Sequence, residues 1–247
     1  MGTMAFFSTY PYLLMSLTLL VIFLLCYLAG GKQRRPMLLS ALLSAPFGFL
    51  SVHFVPVYWN PVRIAEFGAG IEDIIFSFSN GGIVWFMVTL PVRNRLLVDI
   101  HTKRVLLRYG GCSVVGLSLG IIPLSLGYDP MHVSLAGISI MGIALLLLRR
   151  EFWRLSVVGT VSFGLLYTII CIASFLLNPD FLRQWNLEAL TGYIILGVPV
   201  EEIIWSIAFG AVWPLIAAYS FETRITTVER PQDKIYSTDC STGTSSI

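Results

Sequence analysis

Seven apolar runs, each long enough to cross a bilayer as a helix, occupy most of this chain and leave it few folds to choose from. A hydrocarbon core about 30 Å thick needs roughly 20 apolar residues at 1.5 Å rise per residue. Windows of that kind fall at residues 10–28, 37–55, 71–90, 105–126, 131–148, 155–177 and 191–219. Within hydrocarbon every backbone N–H and C=O must find its partner inside the segment, so each run reads as an α-helix. The expected fold is all-α, a polytopic membrane protein with seven transmembrane helices. Composition agrees: 56% of the 247 residues are hydrophobic and 12% charged, against about 25% charged in soluble domains. A net charge of +2 gives no footing for a nucleic-acid partner.

The basic residues set the orientation. Of the sixteen Lys and Arg side chains, all but Arg63 and Arg183 fall on one side of this helix pattern. They lie in the links after the first, third and fifth runs and in the tail. Positive charge marks cytoplasmic loops, which puts the N-terminus outside and the C-terminus in the cytoplasm. The first run lacks a basic leader and a small-residue cleavage site, so it reads as a span and not a signal peptide. Tyr58 and Trp59 belong to an aromatic belt on the outer side, and Trp185-Asn186 is a similar element before the last run. Arg63 and Asn60 are placed to pair with Glu66 there. Residues 222–247 are polar and Ser/Thr-rich, as in a solvated, disordered tail, and Cys240 is not at a prenylation position. Cys26, Cys112 and Cys171 show neither metal nor redox spacing and read as small packing residues.

Two acidic pairs interrupt the apolar pattern. Glu72-Asp73 opens the third run in the context Gly-Ile-Glu-Asp-Ile-Ile-Phe-Ser, and Glu201-Glu202 lies early in the seventh in Pro-Val-Glu-Glu-Ile-Ile-Trp-Ser. At an offset of 129 residues Glu72, Ile74, Ile75, Ser77 and Gly81 match Glu201, Ile203, Ile204, Ser206 and Gly210. The simplest description is two parallel three-helix repeats plus a linking helix, an established membrane architecture. The boundaries are 1–104 for the first repeat, 105–128 for the linker, 129–221 for the second repeat and 222–247 for the tail.

A carboxylate near mid-bilayer costs about 2.5–3.5 kcal/mol on insertion scales, so two pairs at matching places need a reason. Acids in the first turn of a helix complement its macrodipole, worth about 0.3–1 kcal/mol, which is the bland reading. The recurrence points to proton chemistry. A carboxyl group in a low-dielectric site favours its protonated form, and a neighbouring acid reinforces this, so one member donates a proton and the other accepts one. Asp73, Ser77 and Asn80 form a polar stripe beside an apolar one of Glu72, Phe76 and Ile83. Glu202 aligns with Ser206 and Phe209 in the same way, and Glu201 with Trp205. Phe76, Phe78, Trp85, Trp205, Phe209 and Trp213 offer ring faces able to stabilise a carbocation. Acid, base and aromatic faces suit the acid-catalysed rearrangement of a polyene. His53 reads as a packing residue near the outer end of the second span.

At these residues the chain resembles the integral-membrane, non-flavin lycopene cyclases. Their two related three-helix domains each carry a Pro-x-Glu-Glu/Asp signature. Pro199-Val-Glu201-Glu202 matches it; Gly70-Ile-Glu72-Asp73 keeps the acids and loses the proline. The resemblance spans roughly residues 10–220. It implies a lycopene β-cyclase-like intramolecular lyase (isomerase) that needs no cofactor or metal and closes polyene ends in the bilayer. It also implies Glu72, Asp73, Glu201 and Glu202 as catalytic acids. Phe76, Phe78, Trp205 and Phe209 are the expected substrate-binding rings. The partners are a lipophilic carotenoid and the lipid bilayer, and a homo-oligomer is compatible with all of this.

Two other seven-helix classes compete. A retinal protein needs a lysine inside the bundle, and Lys32, Lys103 and Lys234 all lie in links or tail. A small proton-coupled transporter of three-plus-one-plus-three layout would also use membrane carboxylates. Its sugar-carrier relatives place Pro-Gln within helices, whereas Pro231-Gln232 lies in the tail.

Overall fold

The computed structural model describes residues 9–64 and 69–226. Glu66, Cys240 and all but the first five residues of the expected tail lie outside them. Among the described residues, seven helices are long and apolar enough to cross a membrane. They are α1 (Pro11–Ala29), α2 (Arg34–Ser44, continued by a 3-10 stretch Ala45–His53), α3 (Ile71–Thr89), α4 (Thr102–Ser125), α5 (Pro130–Leu148), α6 (Trp153–Leu177) and α7 (Val200–Ser220).

Local chemistry fixes several ends. Pro11 and Pro130 sit in the first turns of α1 and α5, where a missing N–H costs nothing. Asp129 caps α5 by accepting the His132 N–H at 3.0 Å. In α2, Pro46 cannot donate to the helical ladder, and the chain tightens there into the 3-10 stretch. The second span therefore ends at His53 and begins earlier than its hydropathy indicates.

The last span departs further from expectation. Residues 191–199 are not helical, and α7 starts at Val200. Gly192, Leu196 and Gly197 all take positive φ, conformations that end a helix. Ile194–Ile195 and Val198–Pro199 pair there as a small antiparallel ladder. At the other end of the bundle Leu96–Leu97 pairs with Arg224–Ile225. The chain just beyond α7 is thus fastened to the α3–α4 link, where a disordered tail was expected.

α3 and α7 stand at the centre: α3 packs on α1, α2, α6 and α7, and α7 on α3, α4, α5 and α6. Their large outward side chains, such as Ile71 and Ile204, are exposed, as lipid-facing positions are. The residues matched at the 129 offset do similar packing. A Cβ added to Gly81 would lie 2.3 Å from Ser44 Cβ on α2, and one on Gly210 would lie 2.4 Å from Gly159 O on α6. Each glycine lets its helix close on the preceding span, as small residues do in membranes. α4 is the outlier, with Val105 its one buried residue.

The loops that precede α3 and α7 meet across the bundle. Trp59 and Trp185 form an antiparallel bridge, Asn60 N–H donates to Gln184 O at 2.7 Å, and Asn186 N–H donates to Tyr58 O at 2.8 Å. Two Trp-Asn dipeptides thus face each other antiparallel.

Candidate active site

α3 leaves an extended Gly70, and its first turn turns both acids inward. Asp73 is fully engaged. Its Oδ2 accepts the Gly70 N–H at 2.8 Å and lies 2.7 Å from Arg63 Nη2. Its Oδ1 accepts the Tyr12 hydroxyl at 2.9 Å. Helix capping is thus part of what Asp73 does, but the ion pair and the phenol go beyond it. Glu72, fully buried, accepts the Ile64 N–H at 2.9 Å and so ties the preceding loop to the helix. Gly70 permits this closure: a Cβ there would lie 2.5 Å from Glu72 Oε2.

The second pair repeats the division of labour. Glu201 Oε1 accepts the Thr191 N–H at 2.7 Å and the Thr191 hydroxyl at 2.6 Å, again fixing the preceding loop. Glu201 Oε2 is buried and has no hydrogen-bond partner among the described residues. Glu202 Oε2 accepts the Tyr167 hydroxyl at 2.8 Å, and Oε1 accepts Trp185 Nε1–H at 3.2 Å. In each pair the first acid holds a loop and the second takes a tyrosine from another helix.

Three of the four acids border a mostly apolar cavity of about 350 Å³: Asp73, Glu201 and Glu202 line it, and Glu72 does not. α3 contributes Phe76, Ser77 and Asn80; α7 contributes Trp205, Phe209 and Trp213; α4 and α5 supply Gly116, Leu117, Gly137 and Met141. The α7 rings form a rail. Trp205 and Phe209 stack at 5.2 Å and 16°, and Phe209 and Trp213 at 5.7 Å and 5°. Phe76 joins the near end, 5.6 Å from Trp205 and 5.9 Å from Tyr167. Such ring faces attract a cation and pack flat against a conjugated chain.

Not every expected ring belongs here. Phe78, about 200° round α3 from Phe76, packs on Phe23 at 4.8 Å away from the cavity. Trp85 lies at the basic end against Phe221. His53 does line the cavity, and so does Tyr58. Sequence reasoning missed Tyr12, Tyr167 and the two side chains that reach the acids from loops, Arg63 and Trp185. The available signal was general: a tyrosine or indole inside a span requires an acceptor, and buried acids are the acceptors on offer.

A second cluster closes the acid end from outside the spans. The Tyr58 hydroxyl donates to Asp129 Oδ2, and His132 Nδ1 lies 2.8 Å from Asp129 Oδ1. Burial, with the Asp129 hydrogen bond and charge beside it, pushes the Tyr58 phenol up to about 12. For Asp129 burial acts upward but is outweighed by the hydrogen bonds from Tyr58 and His132, which hold the carboxyl below its usual value. Among the described residues no three His, Cys, Asp or Glu side chains are placed to share a metal ion.

The family model for lycopene cyclase matches residues 129–220, which take in α5, α6 and α7 with Glu201, Glu202, Trp205 and Phe209. Over those 92 of 247 residues the chain is similar to the lycopene cyclases. No curated protein and no solved structure matches the chain. The family segment therefore supplies Glu201, Glu202 and most of the aromatic rail, while α3 brings Asp73 and Phe76 to the same cavity from outside the matched segment.

Proposed function

We propose that this protein is a membrane carotenoid cyclase that closes the ends of an acyclic polyene such as lycopene into six-membered β-type rings, an intramolecular lyase (isomerase) reaction. The observation that carries this is the meeting of three carboxyl groups and a stacked aromatic rail at one apolar cavity, in a chain whose 129–220 segment is a lycopene cyclase match.

Glu201 is the proton donor in this reading. Its Oε1 is pinned by Thr191, and Oε2 has no described acceptor, so a proton on Oε2 is available to an alkene in the cavity. Protonation of the terminal double bond leaves a tertiary carbocation. The next double bond attacks it, forming the ring carbon–carbon bond and moving the positive charge onto the ring. Asp73, which faces Arg63, or Glu202 removes a ring proton, and the new ring double bond forms. One proton enters and one leaves, so substrate and product are isomers. Trp205, Phe76 and Phe209 face the cationic stage, where cation–π attraction is worth about 2 kcal/mol or more once desolvated. Glu72 has a supporting role, holding the loop before α3. The basic end of the bundle is taken as cytoplasmic, so the acid clusters lie near the outer leaflet.

The test is pigment extraction from a lycopene-accumulating host. Wild type yields cyclic carotenoid, and Glu201→Gln, which keeps shape and loses the acid, leaves the acyclic pigment. Full ring formation by Glu201→Gln rejects the donor assignment; no ring from wild type rejects the function.

A further inference from the structure

One buried polar side chain on the cavity wall has no place in the chemistry above. Asn80 lies on the same stripe of α3 as Asp73 and Ser77 and borders the cavity. It is wholly buried, and neither its Nδ2 nor its Oδ1 has a hydrogen-bond partner among the described residues. The repeat does not call for it. At the 129 offset Ser77 and Gly81 find Ser206 and Gly210, but Asn80 falls on Phe209 of the aromatic rail. An unpaired amide in a low dielectric is destabilising, and an apolar side chain leaves nothing unpaired. We propose that Asn80 is a hydroxyl-binding point in the cavity, and that the guest it fits is a short open-chain isoprenoid alcohol. The hydroxyl sits on Asn80 and the terminal double bond lies among the acids. This rests on the cyclase reading above for the ring closure and extends it to a second substrate class.

The amide selects the chemical group. Nδ2 only donates and Oδ1 only accepts, so a single partner that satisfies both must itself accept and donate. A hydroxyl does so with one oxygen; a ketone, an ether, a carboxylate or a bare polyene leaves at least one atom unpaired. The spacing selects the length. Asp73 to Asn80 is seven residues of helix, roughly 10 Å, or about nine bonds of an extended chain at ~1.2 Å each. That matches the separation of the hydroxyl carbon from the terminal double bond in an isoprenoid alcohol of about fifteen carbons. The volume agrees. A dry cavity of about 150 Å³ holds benzene, about 25 Å³ per carbon, so the 350 Å³ here holds roughly fourteen carbons.

Ring closure runs as for the longer polyene. Glu201 protonates the terminal double bond, and the next double bond attacks the tertiary cation to form the ring carbon–carbon bond. Asp73 or Glu202 then takes a ring proton. The hydroxyl, held at Asn80, keeps its bond to carbon, and the product is a one-ringed alcohol isomeric with the substrate.

The experiment uses the purified full-length chain in lipid vesicles with all-trans farnesol, its deoxy analogue ending in a methyl group, or lycopene. Wild type converts farnesol to a one-ringed isomer, with a KM about tenfold below that of the deoxy analogue, the scale of one or two lost hydrogen bonds. In Asn80→Leu the two KM values converge. Asn80→Ala, which cannot overfill the wall, is the second variant and gives the same convergence. A binding readout needs no turnover: in detergent, farnesol raises the melting temperature of wild type more than the deoxy analogue does, and the two guests act equally on Asn80→Leu. Equal KM values and equal melting shifts for the two guests in wild type overturn the proposal and leave Asn80 holding only a water. A preference for the alcohol that survives in both variants overturns it too. Failure of the cyclase reading is separate: lycopene and farnesol then both stay acyclic, while the melting shifts still decide the hydroxyl site.

Discussion

The two acidic pairs occupy matching turns of matching helices, yet they are held by different chemistry. Asp73 shares a buried ion pair with Arg63, both side chains less than a tenth exposed. Glu202 is held by neutral donors, the Tyr167 phenol and the Trp185 indole. A proton can settle on Glu202 without breaking an ion pair; on Asp73 it cannot. Sequence symmetry thus does not carry over into chemical equivalence. The asymmetry originates in the loops, since the chain before α3 supplies a guanidinium where the chain before α7 supplies an indole.

The sharpest way to break this comparison is to remove the cation. Arg63→Met leaves Asp73 charged and buried without its partner, which should cost about 3–5 kcal/mol. Thermal unfolding in detergent should show a large drop, and an unchanged melting temperature would mean that the pair is not closed in solution. The matching change on the other side, Trp185→Phe, deletes one neutral hydrogen bond and keeps the ring against Phe181. About 1 kcal/mol is expected by the same assay. Equal losses from the two substitutions would erase the distinction between the pairs.

A smaller effect concerns the acids that hold loops. Thr191→Val removes one of the two donors to Glu201 Oε1 and keeps the backbone N–H. It should cost about 0.5–1.5 kcal/mol, and it should slow cyclisation without abolishing it. Loss of all ring formation would show that the hydroxyl does more than position the acid.

The smallest effect is a dependence on pH from the Tyr58–Asp129 contact. The Tyr58 phenol titrates higher in the folded protein than its usual ~10. Its contribution is complete below that value and is lost as pH rises toward about 12. Asp129 is shifted downward, so its contribution holds above the ordinary carboxylate range and disappears as pH falls below it. Melting temperature against pH should therefore sag at both extremes in wild type. Tyr58→Phe should flatten the alkaline side.

The seven spans were legible because apolar length in a bilayer admits little else. Where the reading failed, hydropathy was blind to backbone conformation. Tyr193, Ile194, Ile195 and Leu196 count as apolar whether or not they are helical, and only the glycines beside them mark the turn. The acids were legible because their cost in hydrocarbon stands out. Their partners were not: Tyr12 reaches Asp73 across 61 residues and Tyr167 reaches Glu202 across 35, distances that periodicity along one helix does not see. Phe78 shows the converse limit. An aromatic beside the correct stripe still turns away when it sits two residues on from Phe76.

The antiparallel bridge between Trp59 and Trp185 has a mechanical consequence. It stitches the loops before α3 and α7 together over the acid end, and they cannot part there without rupturing main-chain hydrogen bonds. α4 is moored differently. Arg104 and Arg108 anchor it to Glu222, and Tyr109 to Leu43 O at 2.6 Å, all near one tip, and no residue beyond Val105 is buried. Widening that admits a bulky hydrocarbon guest would part the fewest buried contacts along α4, while the roof stays sewn.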